Sequence, residues 1–237
     1  MADLLDISAD AVSILELRRP ERANAYTQRM LHELDEAIEA LAGVARVVVV
    51  QAAGTGAFCG GADLDELHAA SPSDALSLLS QRVFTALAHA PFVSIAAIHG
   101  AAVAGGFELA LACDLRVAGP AARFALPEPA LGLIPSAGGC TRLTRIVGPS
   151  RAKAIILGAM EIDAPTALDW GVVQRMAADP RAEAQAWANT VVQRDPVALR
   201  LAKAVIDKDE TQDSLWLERV SEALLYARKR GDDHHGR

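Results

Sequence analysis

The sequence contains few cysteines, and their arrangement argues against a disulfide framework or a structural zinc site. The three cysteines, Cys59, Cys113 and Cys140, are an odd number, and none belongs to a CxxC pair. We expect reduced thiols. Cys140 follows Gly138 and Gly139 at a predicted helix start, where the pKa of a thiol is lowered. Because no histidine base is placed beside it, the sequence favours a small buried residue at Cys140.

Positive charge and long apolar runs are also scarce. The formal net charge of -7 leaves no basic surplus to attract a phosphate backbone, so we predict no nucleic-acid partner. Glycine, histidine or charged residues interrupt the apolar runs before they reach membrane-spanning length. Residues 1–16 are acidic and do not resemble a signal peptide. We therefore expect a cytoplasmic protein with no membrane partner.

The apolar residues that are present follow two periods. With 237 residues and 51% hydrophobic content, one large domain can bury a substantial core. Short β-branched runs at 46–51, 93–98 and 115–118 predict buried strands. Helical spacing at 27–41, with Thr27 as the N-cap, and at later segments predicts an α/β fold with largely parallel strands. The last third is almost wholly helical, as either a cap on the sheet or an oligomerisation layer.

Two glycine-rich segments come close to nucleotide-binding motifs but do not match them. Gly54–Gly61 follows a predicted strand, yet Cys59 occupies the sixth position of the GxGxxG pattern. Gly100 and Gly105 have the spacing of a phosphate loop, but Gly106–Phe107 follows where Lys and then Ser or Thr are required. The sequence therefore gives no support to a nucleotide-phosphate site.

Glycine loops at strand ends have another use, because backbone N–H groups can approach a ligand oxygen where no side chain intervenes. Two such N–H groups can stabilise the negative charge that grows on a carbonyl oxygen during reaction. The candidates are Gly60–Asp63, where Asp63 is placed to cap the next helix, and Ala104–Gly106, which opens a helix. Taken alone, each loop is also typical of a tight turn.

Two glutamates stand in apolar surroundings where a plain core would have none. Glu108 is the only charged residue in Phe107–Cys113, which makes an exposed position unexpected. Glu128 lies between Pro127 and Pro129, neither of which can donate a backbone hydrogen bond. We predict that the two carboxyl groups form an acid/base pair that positions one water molecule.

These residues resemble the crotonase family, also called the enoyl-CoA hydratase/isomerase superfamily. The resemblance covers nearly the whole chain, and its motifs occur in the family's order. It rests on Arg19–Pro20, Asn24–Ala25, Gly56–Leu64, Pro91–Asp114, Phe124, Pro127–Glu128, Leu131–Gly132, Ile134–Pro135, Gly138–Gly139, Arg142–Leu143, Ala167, Trp170–Val173 and the helix of Lys203.

The resemblance implies a spiral of β-β-α turns over residues 1–178, which would hold the acyl-CoA site. It implies a C-terminal helical trimerisation region over 179–237, with trimers often pairing into hexamers. The expected partners are thus an acyl-CoA thioester and further copies of the chain. No metal or redox cofactor is expected, and coenzyme A enters as part of the substrate.

For the site, the resemblance implies that the amides of Ala62 and Gly105 hold the thioester carbonyl as an oxyanion hole. Glu108 and Glu128 would hold the attacking water, and Glu128 would give a proton to the α-carbon. Substrate and CoA contacts are expected from Arg22, Ala23, Ala25, Asp63, Leu64 and Gly106.

Family members that hydrate carry both glutamates, whereas isomerases and hydrolases commonly lack one. The first hypothesis is therefore an enoyl-CoA hydratase of fatty acid metabolism, a lyase that adds water syn across a 2-enoyl-CoA double bond or removes it from a 3-hydroxyacyl-CoA. A second hypothesis is a Δ3,Δ2-enoyl-CoA isomerase or a dehydratase of carrier-protein thioesters. A third, of another class, is a non-catalytic crotonase-like assembly subunit.

Overall fold

The computed structural model describes residues 11–69, 78–208, 216 and 219–225 of the chain. Its strands are β1 (Val12–Leu17), β2 (Val47–Ala52), β3 (Val93–Ile98), β4 (Ala101–Val103), β5 (Leu115–Ala118), β6 (Arg123–Ala125), β7 (Ile162–Asp163) and β8 (Arg175–Met176). One parallel sheet has the order β1, β2, β3, β5, β8. A smaller sheet pairs β4 in parallel with β6, and β6 in antiparallel with β7.

The buried valines of β2 show why the large sheet is parallel. The four residues Val47–Val50 are each at most 1% exposed. A strand buried on both faces is typical of a parallel sheet covered by helices. The strands predicted at 46–51, 93–98 and 115–118 are found within one residue of those bounds. The α/β class with largely parallel strands is confirmed.

The helix Gln28–Ala42 begins where the sequence predicts it. The hydroxyl oxygen of Thr27 accepts a hydrogen bond from the Met30 amide at 3.2 Å, as an N-cap does. A later helix is described at Leu79–Ala88, and residues 70–77 before it lie outside the described residues. The other helices are Leu64–Ala69, Gly105–Ala112, Thr144–Ile156, Ala164–Asp169, Pro180–Val191 and Pro196–Ile206, with short helical turns at Pro20–Arg22, Glu128–Leu131 and Gly139–Leu143.

The large sheet is covered on both faces, as alternate valines of β2 demonstrate. Val48 and Val50 belong to the main core, whereas Val47 and Val49 pack in a second cluster with the helix Pro180–Val191. The first helix beyond residue 178 therefore completes the core of the sheet. A trimerisation role for the C-terminal region stays a prediction.

The helix Pro196–Ile206 is held at the surface of the sheet by one half-buried lysine. Pro196–Ile206 contains no buried residue. The ammonium of Lys203 nevertheless donates to the Asp114 carboxylate at 2.8 Å and to the Phe92 carbonyl at 3.0 Å. None of the helices in the described part of the chain is long and apolar enough to cross a membrane.

Candidate active site

The two predicted glycine loops, Gly60–Asp63 and Ala104–Gly106, lie against each other, and the second of them directly follows β4. Cys59, which precedes the first loop, pairs in parallel with Ala102 of β4. Gly61 has a left-handed backbone with φ of +96°, and a Cβ there would lie 3.0 Å from the Cβ of Ala104 and 3.2 Å from the nitrogen of Gly105. Only glycine allows this turn and this approach at once. The loops thus form one continuous surface.

The candidate oxyanion-hole amides, those of Ala62 and Gly105, have no backbone acceptor in the part of the chain that the structure describes. Tyr26 holds the first loop on either side of Ala62, because its N–H donates to the Gly61 carbonyl at 2.9 Å and its carbonyl accepts from Asp63 at 2.8 Å. Gly105 is the first residue of its helix, so its N–H has no intrahelical acceptor. Among the described residues, neither amide donates to a backbone carbonyl.

Glu108 is buried in the helix Gly105–Ala112 and bound through one oxygen. Its Oε1 accepts from the Ala137 amide at 2.7 Å and from the Gly139 amide at 2.8 Å. Glu108 is only 4% exposed. Burial raises the pKa of Glu108, while those two N–H groups and the Arg142 charge oppose the rise.

The turn that supplies these two amides is itself held from behind. Arg142 donates through Nη1 to the Ala137 carbonyl at 2.9 Å and through Nη2 to the hydroxyl of Thr85 at 3.2 Å. Gly138 has φ of +112°, and a Cβ there would lie 1.9 Å from Nη1 of Arg142. The guanidinium therefore fills the space beneath the turn and fixes the amides that bind Glu108.

Glu128 lies in the same site but has no hydrogen-bond partner for its carboxyl group. It begins the turn Glu128–Leu131, after Pro127, and is 8% exposed. Neither Oε1 nor Oε2 meets a donor among the described residues. Burial raises the pKa of Glu128 to about 7, although the nearby backbone N–H of the same residue opposes the rise, and the charge of Glu108 adds to it. A neutral carboxylic acid at this position can give up a proton near neutral pH.

The predicted CoA contacts near residue 22 lie on a tightly turned segment of the chain. Arg22 forms an exposed ion pair with Asp65, with 2.6 Å between Nη2 and Oδ2. Ala23 has a left-handed φ of +53°, and its carbonyl accepts from the Gly60 amide at 2.9 Å. The structure therefore brings Arg22 and Ala23 beside the first glycine loop. Their contact with CoA stays a prediction.

Asp63 uses its carboxylate within the protein. Its Oδ2 accepts from Nη2 of Arg19 at 3.0 Å, and its Oδ1 accepts from the Asp65 amide at 3.0 Å, which caps the next helix. The bond to Arg19 lowers the pKa of Asp63. Arg19 also donates to the Ala25 carbonyl at 2.7 Å. The predicted capping role of Asp63 is confirmed, and its predicted ligand contact stays a prediction.

The remaining predicted contacts, Gly106 and Leu64, differ in exposure. A Cβ on Gly106 would lie 2.0 Å from the carbonyl oxygen of Cys59, so glycine is needed for the loops to meet. Leu64 is 57% exposed and is therefore accessible to a ligand.

The prediction that Cys140 is a small buried residue is wrong. Its side chain is exposed, whereas Cys59 and Cys113 are buried. The pKa of Cys140 is raised rather than lowered, by partial burial and then by the charges of Glu108 and Glu128.

Sequence reasoning assigned no role to Tyr26 or Arg142. Tyr26 directly follows the predicted CoA contact Ala25, and Arg142 lies three residues after Gly139. Their roles depend on contacts with residues distant in sequence, which no local pattern reveals.

The arrangement offers two amide donors and two buried carboxyl groups with different environments. The amides can stabilise an oxyanion, and the carboxyl groups can accept and donate protons at neighbouring carbon atoms. Among the described residues, no group of three or more His, Cys, Asp or Glu side chains could hold a metal ion.

Solved structures share this architecture. The enoyl-CoA hydratase from Bacillus anthracis matches with a TM-score of 0.89 and 31% identity, over 94% of this chain and 90% of that one. A Thermobifida fusca protein solved with CoA matches with 0.89 and 32%, over 97% and 95%. A structure from that organism with acetoacetyl-CoA gives 0.87 and 31%, over 96% of both chains. The chain has the crotonase fold.

Sequence comparisons agree. "Probable enoyl-CoA hydratase 2, mitochondrial" of Arabidopsis thaliana is 39% identical over 82% of this chain and 66% of its own length. "Probable enoyl-CoA hydratase echA6" of Mycobacterium bovis is 39% identical over 88% of this chain and 84% of its own. A family model described as enoyl-CoA hydratase/isomerase matches residues 8–233. The chain belongs to the enoyl-CoA hydratase/isomerase family.

Proposed function

We propose that the protein is an enoyl-CoA hydratase, which adds water syn across the double bond of a 2-enoyl-CoA to give a 3-hydroxyacyl-CoA, or catalyses the reverse dehydration. The observation that carries this proposal is the pair Glu108 and Glu128. Both carboxyl groups are buried, but Glu108 accepts two backbone hydrogen bonds, whereas Glu128 has no partner among the described residues. The two glycine loops that carry the candidate amides touch each other in the same site. Relatives named as hydratases, and a similar protein holding acetoacetyl-CoA, support a thioester substrate.

The thioester carbonyl oxygen would accept from the amides of Ala62 and Gly105. Negative charge grows on that oxygen as a nucleophile adds to the β-carbon, so these donors bind the transition state more tightly than the substrate. The helix that begins at Gly105 adds its positive N-terminal dipole to the same place.

The two glutamates would move the protons. As the water oxygen bonds to the β-carbon, Glu108 accepts a proton from that water through the carboxylate oxygen that the two amides do not bind. Glu128 gives its proton to the α-carbon, and a pKa of about 7 keeps much of it protonated near neutral pH. Dehydration is the same sequence in reverse.

Coenzyme A would lie along the turned segment at Arg22, Ala23 and Ala25, with Leu64 against the ligand. Asp63, on the first loop, would also contact the ligand. Gly106 would keep the two loops in contact because it has no side chain. No cofactor beyond the CoA of the substrate enters this mechanism.

The test is to incubate the purified protein with crotonyl-CoA and follow loss of the conjugated enoyl thioester absorbance. The product should gain the mass of one water molecule. A double variant, Glu108→Gln with Glu128→Gln, serves as the inactive control. Absence of hydration by a folded parent protein, with crotonyl-CoA and with longer 2-enoyl-CoA substrates, would refute the proposal.

A second candidate is Δ3,Δ2-enoyl-CoA isomerisation, which the state of Glu128 specifically favours. One acid with a pKa of about 7 and no hydrogen-bond partner can shuttle a proton between the α- and γ-carbons without a water molecule. A 3-enoyl-CoA substrate distinguishes the two, because isomerisation creates the conjugated absorbance that hydration removes. Isomerase activity that survives Glu108→Gln would favour this candidate.

The proposed enzyme would assemble as a homotrimer or a dimer of trimers. Several large apolar side chains remain exposed on the single chain, including Ile134 at 68% and Leu157 at 73%. Burial between copies would remove such surface from water. Light scattering coupled to size-exclusion chromatography would measure the assembly, and a monomer would contradict this part of the proposal.

A further inference from the structure

Tyr26 touches both loops that supply the candidate oxyanion-hole amides. Its backbone N–H and carbonyl bond to Gly61 and Asp63, on either side of Ala62, at 2.9 and 2.8 Å. Its phenol lies against Gly105, since a Cβ on that glycine would be 2.1 Å from the hydroxyl oxygen and 2.8 Å from Cε1 and Cζ. One residue thus holds one loop through its backbone and limits the other through its side chain.

Gly105 needs to be glycine because of this contact. Its φ does not lie in the left-handed region, unlike that of Gly61. An L-residue could therefore adopt the backbone of Gly105 without strain. What excludes a side chain there is the volume occupied by the phenol of Tyr26, together with the close packing of the interior.

The phenol ring is itself held in place. It meets Phe84 edge to face, with 5.6 Å between the ring centroids and an interplanar angle of 89°. The hydroxyl of Ser80 hydrogen-bonds the phenol oxygen. Burial and then the charges of Glu108 and Cys59 raise the pKa of Tyr26, so the group keeps its proton.

We propose that Tyr26 is the positioning residue that sets the distance between the amides of Ala62 and Gly105. This inference rests on the proposed function, because it concerns the oxyanion hole of that reaction. Tyr26 acts through the two loops: its backbone fixes Ala62, and its ring is the surface against which Gly105 rests. A shift of the ring would leave the chain folded but separate the two donors from one carbonyl oxygen.

The first test compares Tyr26→Phe, which keeps the ring, with Tyr26→Leu, which removes it. Phe92→Leu is the matched control, because Phe92 is also a buried aromatic residue, and its backbone carbonyl binds the Lys203 ammonium rather than either loop. We expect kcat for crotonyl-CoA hydration to fall about 10²-fold in Tyr26→Leu, as for a displacement of about 1 Å, with little change in KM. Tyr26→Phe should lie between this variant and the parent, and Phe92→Leu should keep the parent kcat.

Acetoacetyl-CoA supplies a readout that a purely structural role would not move. Its enolate absorbs in the near ultraviolet, and paired amide donors favour the enolate over the keto form. The enolate absorbance per bound ligand should fall in Tyr26→Leu and stay at the parent level in Phe92→Leu. Equal kcat and equal enolate absorbance in Tyr26→Leu and the parent would overturn the proposal.

A rescue experiment tests the contact itself. Gly105→Ala should abolish hydration in the parent, because the new methyl group would overlap the phenol. In the Tyr26→Leu background the same change should be tolerated better, so the double variant should exceed Gly105→Ala in kcat. Gly106→Ala is the control, since its Cβ would strike the Cys59 backbone and should not be rescued. Equal loss from Gly105→Ala in both backgrounds would overturn the proposal.

Failure of this inference is distinguishable from failure of the proposed function. A parent that hydrates crotonyl-CoA but shows neither the Tyr26→Leu effect nor the rescue refutes the role of Tyr26 alone. A parent that does not hydrate but converts bound acetoacetyl-CoA to its enolate, with loss in Tyr26→Leu, refutes hydration and supports the role of Tyr26. A parent that does neither refutes both.

Discussion

Glu108 and Glu128 are the same residue type in one buried site, yet their surroundings differ. The carboxylate of Glu108 is held by two backbone amides, on a turn that Arg142 supports from behind. The carboxyl group of Glu128 stands on a short turn between two prolines and has no partner among the described residues. Backbone donors favour a charged carboxylate, and their absence favours a neutral acid. In the proposed mechanism this contrast separates a base from an acid without changing the residue type.

Removing one carboxyl group at a time tests whether both surroundings are needed. Glu108→Gln and Glu128→Gln should each lower kcat for hydration by about 10²–10⁴-fold, the usual range for an acid/base group. The double variant should lose little more, because the two groups act as a unit in one addition of water. Steady-state kinetics measure this, with the surface change Glu183→Gln as the control. Retained hydration in either single variant would end the division of roles.

Displacing Glu108 without removing it sharpens the comparison on one side. A Cβ at Gly139 would lie 2.9 Å from Oε1 of Glu108 and 2.6 Å from the Cβ of Pro135. We expect Gly139→Ala to lower kcat about 10²-fold through misplacement of the carboxylate. Gly43→Ala is the control, since a Cβ there meets nothing within 4 Å. Unchanged kinetics in Gly139→Ala would show that the amide contacts with Glu108 do not matter for turnover.

Weakening the support behind the turn should have a smaller effect on the same side. Arg142→Met removes the donors to Ala137 and Thr85 but leaves both amides that bind Glu108. We expect kcat to fall about tenfold, as for a modest loss of orientation. Arg82→Met, which loses only a surface ion pair with Asp35, is the matched control. Equal kinetics in the two variants would show that the guanidinium is not needed to hold the turn.

The other side of the comparison is visible in stability. The pKa of Glu128 is about 7 in the fold and 4.5 in its ordinary state. Between these values the folded chain keeps a proton that the unfolded chain releases, so stability falls as pH rises from about 4.5 to 7 and is level above. Glu128→Gln removes this fall. Its Tm should therefore exceed that of the parent at about pH 8 and converge with it near pH 4. Parallel Tm curves would contradict the raised pKa.

The sequence predicts the central strands, the helix that begins after Thr27 and the residues of the candidate site, but not the contacts that support them. Thr27 and the valines of β2 follow local rules of capping and burial, so their structures could be predicted. Exposure at Cys140 could not, because it depends on how the turn Gly139–Leu143 packs against the rest of the chain, with Leu143 inward and Cys140 outward. The carboxylate of Asp63 pairs with Arg19 across 44 positions, and no local pattern carries that distance.

The candidate oxyanion hole is built from peptide N–H groups. The proposed donors at Ala62 and Gly105 therefore do not depend on a functional side chain. Ala62 would act through its N–H, whereas its methyl group only packs against the main core. Its neighbour Gly61 and the distant Gly105 admit no side chain. The geometry of this part of the site thus depends on the surrounding residues that must stay small. A comparison of relatives that considers only functional side chains would therefore miss Gly61 and Gly105, the positions that hold the candidate amides in place.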